Sequence, residues 1–274
     1  MASTPEQLTV RSGRVKHARR LATRAFRAEQ REFLAEGPQA VREALAHGGA
    51  DHRGTVIEVF ATSEATDQHD DLVTAARRDE VVWHVVAPDV LDALTDTVAP
   101  QGVVARCAMV DRPLKALLDR SPTFLVVCAD IRDPGNAGAV IRCADAAGAD
   151  GVVFTGDSVD PYNPKSVRAT VGSLFHLPLV IDRDVEGTLA ALQSAGLQVL
   201  AADGAGDVDL FDPSLDLAAP TAWLMGNEAW GLPEATRGRA DHVVAVPIFG
   251  RAESLNLATA AAVCLYTTAR SRLS

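Results

Sequence analysis

The chain has 274 residues, of which 47% are hydrophobic, and a formal net charge of −10. This length exceeds that of one typical domain and predicts two, with enough apolar residues for a substantial core. Because the sequence has no uninterrupted apolar run of about 18 residues and its N-terminus is polar and then basic, we expect neither a membrane span nor a signal peptide.

The four cysteines, at positions 107, 128, 143 and 264, lack the spacing of a metal site. We expect them to be small buried side chains of a protein in a reducing compartment. We therefore expect no metal ion and a cytoplasmic location.

The charge is unevenly distributed along the chain. Residues 1–31 carry a net charge of +6, which leaves −16 for the remainder. An acidic body with a basic arm indicates a polyanionic partner that is approached locally, although a solvated amphipathic helix explains the same charges. The cations of this arm are Arg11, Arg14, Lys16, Arg19, Arg20, Arg24, Arg27 and Arg31.

Residues 32–110 have the pattern of a small α/β domain. Strand-like runs at 55–62, 81–87 and 102–110 alternate with helix-like stretches at 39–48 and 71–79. The charged segment 111–122 follows and contains Pro113 and Pro122, which indicates a linker. The predicted organisation is therefore an arm at 1–31, a small domain at 32–110, a linker at 111–122 and a larger domain at 123–274.

The larger domain predicts a parallel sheet flanked by helices. Continuous apolar runs that alternate with helical stretches are typical of strands covered on both faces. Such sheets bind ligands at the carboxyl ends of their strands. The predicted strands are 123–130, 151–155, 177–181, 197–202, 221–225 and 242–247.

The first polar strand end follows residues 123–130. Pro134 and Gly135 predict a turn, and Asn136 is a candidate cap for the next helix. Arg142 lies off the apolar stripe of that helix, where an arginine is most often a solvated charge. The sequence contains no GxGxxG or GxxxxGK[ST] pattern, which disfavours a dinucleotide site or a phosphate loop.

Two further strand ends carry polar residues. Gly226 permits a close backbone approach and is followed by Asn227 and Glu228, although chance polar residues in a turn are common. After strand 242–247, Ser254 is a candidate cap for an Ala-rich apolar helix. Capping by Ser254 leaves the neighbouring polar residues Glu253 and Asn256 unexplained.

Taken in order, these strand ends resemble a known family. The segments NAGAVIRCADAAGADGV (136–152), MGNEAWGL (225–232) and VPIFGRAESLNLATAAAV (246–263) are similar to the three successive motifs of the SpoU-type RNA 2′-O-ribose methyltransferases of the SPOUT class. Residues 33–45, 95–105 and 163–178 are also similar to parts of that family. The resemblance covers about residues 30–270.

The resemblance implies an α/β fold with a C-terminal trefoil knot, a homodimer, and S-adenosylmethionine as methyl donor. The cofactor pocket would include Gly226, Val246 and Leu255. The implied reaction methylates a ribose 2′-hydroxyl of RNA. Together with the charge distribution, this leads to the hypothesis that the basic arm contacts RNA phosphates. The implied catalytic set is Arg142, with Asn136, Glu228, Ser254 and Asn256 orienting this arginine and the ribose.

Three functions stay open on the sequence. The first is an RNA 2′-O-ribose methyltransferase. Its additional N-terminal domain favours ribosomal RNA as the substrate, by analogy with the family, and transfer RNA is the alternative substrate. The second is a catalytically silent RNA-binding or ribosome-assembly factor, against which the five intact site residues argue. The third, a small-molecule enzyme on a Rossmann-like sheet, lacks a dinucleotide fingerprint.

Overall fold

The computed structural model describes residues 8–47, 54–97 and 99–273. Residues 1–7 of the predicted arm and position 48 of the predicted helix 39–48 lie outside the described residues. Within these ranges, every helix falls short of the length or apolar character that crossing a membrane requires.

The first half of the chain begins with two short helices and a strand. In order, these elements are helix α1 (Gly13–Arg20), helix α2 (Arg24–Gln30), strand β1 (Glu32–Glu36), helix α3 (Pro38–Ala46), strand β2 (Val56–Ala61), helix α4 (Ser63–Gln68), helix α5 (Asp70–Arg78), strand β3 (Val82–Val85), helix α6 (Pro88–Leu94) and strand β4 (Val103–Ala108). The strands form a sheet in the order β1-β4-β2-β3, in which only the β2–β3 pair is parallel.

The second half alternates strands and helices. In order, these elements are α7 (Leu114–Leu118), β5 (Phe124–Ala129), α8 (Pro134–Ala146), β6 (Gly151–Thr155), α9 (Pro164–Thr170), a 3₁₀ turn (Ser173–Phe175), β7 (Leu179–Asp182), α10 (Val185–Ser194), β8 (Gln198–Ala202), β9 (Val208–Asp209), β10 (Thr221–Met225), α11 (Glu234–Arg237), β11 (His242–Ala245) and α12 (Leu257–Ser271).

The larger sheet has seven strands in the order β7-β6-β5-β10-β8-β11-β9, and all of its neighbouring pairs are parallel. Every residue of β5, β6 and β10 is buried, as expected of strands covered on both faces. Trp223 in β10 is fully buried, and its indole Nε1 donates to Thr268 Oγ1 of α12 at 2.9 Å. The predicted parallel sheet flanked by helices is therefore confirmed, together with all nine predicted strands.

The chain divides into two compact units, and residues 162–176 depart from the predicted boundaries. The first unit combines the described residues up to Val110 with Tyr162–His176, and the second contains the rest. Phe33 of β1 packs on the rings of Tyr162 and Phe175, with centroid distances of 4.7 Å and 6.0 Å. This segment was predicted within the 123–274 domain, because its apolar residues indicate burial without indicating the partner.

The first unit contains a buried ion network. Glu58 in β2 is 1% exposed and accepts from Arg106 Nε at 2.7 Å, Arg14 Nη1 at 3.0 Å and the His84 ring at 3.0 Å. Burial alone would raise the pKa of Glu58, but the hydrogen bond with His84, the charge and hydrogen bond of Arg106 and the hydrogen bond with Arg14 lower it to about 2. The network therefore ties α1 to the sheet.

Replacing Glu58 with glutamine is expected to lower the free energy of unfolding by about 3 kcal/mol at pH 7, because the mostly buried Arg106 and His84 lose their charged partner. A pKa of about 2, below the ordinary 4.5, means that this stabilisation is present above about pH 4.5 and is lost as the pH falls through 2. Denaturant unfolding at pH 7 and pH 3 measures both effects. The exposed Glu64→Gln is the control, and an equal loss at both pH values would contradict the assignment.

Candidate active site

The predicted site residues meet at one edge of the larger sheet. Strands β5, β10, β8 and β11 are adjacent and parallel, so their carboxyl ends lie together. A cavity of about 230 Å³ opens at this edge, and its lining includes Gly226, Val246 and Leu255. The three residues predicted to hold the cofactor therefore share one cavity.

Gly226 is required first by the protein's own packing. A Cβ atom at this position would lie 2.7 Å from the carbonyl carbon of Gly231 and 2.7 Å from Leu232 Cγ. Asn227 and Gly231 close the turn between them with two backbone hydrogen bonds, of 2.9 Å and 3.0 Å. The close approach predicted at Gly226 is thus an approach to the chain itself, at the cavity wall.

One side of the cavity contains none of the predicted site residues. It is lined by Ala202, the last residue of β8, and by Asp203 and Gly204, which follow this strand. A Cβ atom on Gly204 would meet nothing within 4 Å, so this residue of the cavity lining leaves open space beside it. Strand 197–202 was predicted, and the glycine just after its buried end was the available signal.

Three polar side chains from distant parts of the chain form one network. Glu228 Oε1 accepts from Asn136 Nδ2 at 3.1 Å and from the Asp133 backbone N–H at 3.2 Å, while Oε2 accepts from the Arg132 N–H at 3.2 Å. Asn256 Nδ2 in turn donates to Asn136 Oδ1 at 3.1 Å. Asn136 therefore links the loop after β10 to the start of α12.

Both predicted helix caps are wrong. Helix α8 is capped by Asp133, whose Oδ1 accepts from the Asn136 N–H at 2.8 Å, and Asn136 itself lies inside the first turn. Helix α12 begins after Asn256, whose Oδ1 accepts from the Ala258 N–H at 2.9 Å, so Ser254 is not the cap. Asn256 therefore has two roles, as the cap of α12 and as a hydrogen-bond donor to Asn136. These roles explain why a polar residue stands at position 256, which capping by Ser254 did not explain.

Arg142 and Ser254 stand apart from this network. Both are exposed, and neither side chain forms a hydrogen bond or ion pair with the described residues. The predicted orientation of Arg142 by Asn136, Glu228, Ser254 and Asn256 is therefore absent from this structure. Ser254 lines the cavity, whereas Arg142 lies on α8, which packs against α12.

The chemistry of this edge follows from these positions. Glu228 accepts hydrogen bonds from three N–H donors, so its carboxylate ties the loop after β10 to the start of α8. The unpaired guanidinium of Arg142 can bind an anionic group in bidentate geometry. Apolar walls, backbone groups and a few polar side chains give the cavity the composition of a small-molecule site.

The surroundings of the four cysteine thiols make these groups unreactive. Burial raises the pKa of Cys107, Cys128 and Cys143 above the ordinary value, and it raises that of Cys264 to about 12. Each thiol is thus held in the protonated, weakly nucleophilic form at neutral pH.

Residues 8–31 of the predicted basic arm are part of the folded first unit. Val15, Ala18, Leu21 and Phe26 are buried in one core cluster with residues of the sheet. Arg27 is 1% exposed, and its guanidinium donates to the carbonyls of Leu21 and Ala22 at 2.8 Å and 2.9 Å. The carbonyls just after α1 accept hydrogen bonds from this guanidinium, so Arg27 caps the C-terminal end of α1. Its guanidinium is therefore not available to a phosphate.

The other arm cations differ in their availability. Arg14 binds Glu58, and the Arg20 guanidinium lies 3.8 Å from the ring centroid of Phe26. Arg24 and Arg31 are exposed and also interact within the chain. Arg11, Lys16 and Arg19 are exposed and have no side-chain partner among the described residues.

Comparison with known proteins identifies the relatives of this chain. Residues 123–266 match the SpoU rRNA Methylase family, and residues 34–113 match the family of RNA 2′-O ribose methyltransferase substrate binding domains. The chain is 37% identical to the 23S rRNA (uridine(2479)-2′-O)-methyltransferase of Streptomyces viridochromogenes, over 93% of this chain and 88% of the relative. It is 31% identical to the 23S rRNA (guanosine(2553)-2′-O)-methyltransferase RlmP of Bacillus subtilis, over 94% and 96%.

A solved structure gives the same result for the fold. The AdoMet-bound rRNA methyltransferase from Sinorhizobium meliloti superposes with a TM-score of 0.82, at 33% identity and with 97% of each chain covered. Since the family match spans the larger sheet and all three motifs at its edge, the chain belongs to the SpoU rRNA methylase family.

Proposed function

We propose that this protein transfers a methyl group from S-adenosylmethionine to a ribose 2′-hydroxyl of RNA, with ribosomal RNA as the substrate. The observation that carries the proposal is the cavity at the carboxyl edge of the sheet, beside the Asn136–Glu228–Asn256 network. The family relatives named above act on 23S rRNA, which supports the choice of RNA.

The cavity fits the cofactor on its own features. Gly204 provides open space that any side chain would fill, and Val246, Ile248 and Leu255 provide apolar walls. Backbone groups beside Gly226 suit the polar edges of an adenine. When bound there, S-adenosylmethionine supplies a methyl group that is already activated by the positive charge on sulfur.

The protein's own residues then position the RNA. Arginine is effectively always protonated, so we assign Arg142 to clamping a phosphate or stabilising the developing charge on the ribose oxygen. Asn136 and Asn256, aligned by Glu228, hold the start of α12 where Ser254 faces the cavity. Positioning of this kind supplies much of the barrier reduction for a reaction between pre-activated groups.

We further propose the trefoil knot and the homodimer that the family resemblance implies, and a cytoplasmic location. The packing of α12 on α8, β10 and β8 supports a C-terminal segment tucked into the larger unit. From the apolar pattern of the last helix, the dimer contact is expected on Ala258, Ala261, Ala262 and Leu265. Ala261 and Leu265 are buried within the chain itself, so the proposed contact shifts to the exposed side of α12. Tyr266 of α12 is 54% exposed, and Leu273, just after the helix, is 89% exposed. Light scattering at micromolar concentration tests for the dimer.

The first unit, with residues 32–110 at its centre, is proposed as the RNA substrate-binding domain. Its exposed cations Arg11, Lys16 and Arg19 are the arm residues best placed to reach phosphates. Deleting residues 1–31 would remove Val15 and Phe26 from the core of this unit and expose the residues that they cover. The deletion would therefore affect folding as well as RNA binding.

Replacing Arg11, Lys16 and Arg19 together with glutamine is expected to weaken RNA binding and to flatten its log–log salt dependence by about 2, since each neutralised phosphate contributes roughly 0.7 to 0.9. RNA affinity across a salt series measures the slope. Arg77→Gln with Arg120→Gln, both at exposed positions outside the arm, is the matched control. Equal slopes in the triple variant and the parent would show that RNA is held elsewhere.

One assay tests the proposed function against its alternatives. Purified protein is incubated with labelled S-adenosylmethionine and unmodified ribosomal RNA or transfer RNA transcripts, and the product is digested to locate the label. Label on a ribose of ribosomal RNA supports the proposal, and label on transfer RNA alone changes the substrate. RNA binding without any transfer would indicate a silent RNA-binding or ribosome-assembly factor.

A further inference from the structure

Two exposed aromatic side chains lie beside the cavity. Trp230 is 61% exposed and Phe249 is 89% exposed. Each is adjacent in sequence to a residue of the cavity lining, Gly231 for Trp230 and Ile248 for Phe249. Large aromatic rings at the rim of a ligand cavity, facing water, are surface available for a ligand.

Trp230 is presented by a rigid turn. The backbone hydrogen bonds between Asn227 and Gly231 close the turn on both sides. Asn227 Nδ2 also donates to the Asp130 carbonyl at 2.8 Å, and its Oδ1 accepts from the Ala229 N–H at 2.8 Å. The turn is therefore fixed to the end of β5, and its tip carries an indole that costs little conformational entropy on binding.

Two exposed arginines of the larger unit are available to an anionic ligand. Arg251 lies two residues after Phe249, Arg142 lies on α8, and both are unpaired among the described residues. Of the acids, Glu228 is occupied by three N–H donors, and the Asp203 carboxylate lies 3.5 Å from the Arg237 guanidinium. Glu253, in the same loop as Arg251, and Glu234 of α11 are also exposed, so the two arginines, and not the net charge, supply the attraction for an anion.

Phe211 gives a contrast within the same sheet edge. It follows β9 and is 54% exposed, but its neighbours in sequence include Asp207, Asp209 and Asp212. A phosphate backbone would be repelled there, so aromatic exposure alone does not make a binding surface. Phe211 serves as a matched control for the other two rings.

We propose that Trp230 and Phe249 form an aromatic platform on which unpaired bases of the RNA, next to the methylated nucleotide, stack. Bases in a duplex are already stacked, so the platform selects single-stranded or splayed nucleotides, and the arginines beside it hold their phosphates. The proposal rests on the proposed function, because it places the RNA at the rim of the cofactor cavity.

Decauridylate and an abasic ten-nucleotide strand with the same phosphates are the probes. Decauridylate is expected to quench the fluorescence of Trp230, in a signal that Trp230→Phe removes, and to bind at least about 5-fold more tightly than the abasic strand. Equal affinity for the two strands would mean that phosphates alone are bound and would overturn the platform. Neither the quenching nor the affinity measurement requires methyl transfer. A failure of the methyl-transfer assay can therefore be distinguished from a failure of the platform.

The alanine variants test each ring in the full chain. Trp230→Ala and Phe249→Ala are each expected to weaken decauridylate binding roughly 5- to 100-fold and to raise the KM for ribosomal RNA, with unchanged S-adenosylmethionine affinity by calorimetry. Phe211→Ala should leave decauridylate affinity, the KM for ribosomal RNA and S-adenosylmethionine affinity unchanged. Trp230→Phe should retain most of the affinity for decauridylate. If either alanine variant changes the oligomeric state by light scattering, the rings belong to an interface between copies of the chain and the platform is wrong.

Discussion

Replacing Arg142 with alanine is expected to lower the rate of methyl transfer at least about 100-fold, the lower range for losing one positioned catalytic group. S-adenosylmethionine affinity should stay nearly unchanged, because Arg142 is exposed on α8 and is not part of the cavity lining. Single-turnover transfer to a ribosomal RNA transcript and calorimetry with the cofactor measure the two quantities.

Arg142→Lys should fail nearly as badly as the alanine variant, because a planar fork and a point charge bind a phosphate differently. Arg120→Ala is the matched control, since Arg120 is also exposed but precedes β5 and so lies at the opposite edge of the sheet. Substantial transfer by either Arg142 variant would remove this residue from the proposed mechanism. A parallel loss of cofactor affinity would place it at the cavity instead.

The larger sheet was predictable because its strands are buried on both faces. In β5 and β10 each residue is buried, so the apolar run in the sequence and the strand in the structure coincide. Strand β1 lacks this signal: it is five residues long, has a glutamate at each end, and is defined by its antiparallel pairing with β4. Pairing of this kind depends on a partner about 70 residues away, which a local pattern does not contain.

The candidate site was predictable in its members but less so in their contacts. The order of polar strand ends indicated Asn136, Glu228 and Asn256, and the structure links them by hydrogen bonds. Their capping roles were misassigned at α8, where Pro134 at the first helical position favours Asp133 as the cap. That signal was present in the sequence.

The arm shows the limit of reasoning from charge alone. A run of cations resembles a solvated face, yet Arg27 is buried against two backbone carbonyls and the partly exposed Arg14 is paired with the buried Glu58. Both roles depend on acceptors brought close by folding. Composition therefore indicated the net charge of the arm without indicating which of its cations remain free.

Replacing Gly204 with valine is expected to weaken S-adenosylmethionine binding at least about tenfold with little change in stability. Gly204 lines the cavity and a Cβ atom there meets no protein atom within 4 Å, so the fold admits the valine. We expect its methyl groups to overlap the ligand, and overpacking of this size costs roughly 1–3 kcal/mol. Calorimetry with the cofactor and thermal unfolding of the ligand-free protein measure the two effects.

Two other glycines make this test specific. Gly250→Val also points into open space, but Gly250 is outside the cavity lining, so its cofactor affinity should match that of the parent. Gly226→Ala should lose stability and binding together, because its Cβ meets the Gly231 backbone at 2.7 Å and the turn must move. Normal affinity in a folded Gly204→Val protein would show that the cofactor binds elsewhere, since no rearrangement of the turn is needed to admit the valine.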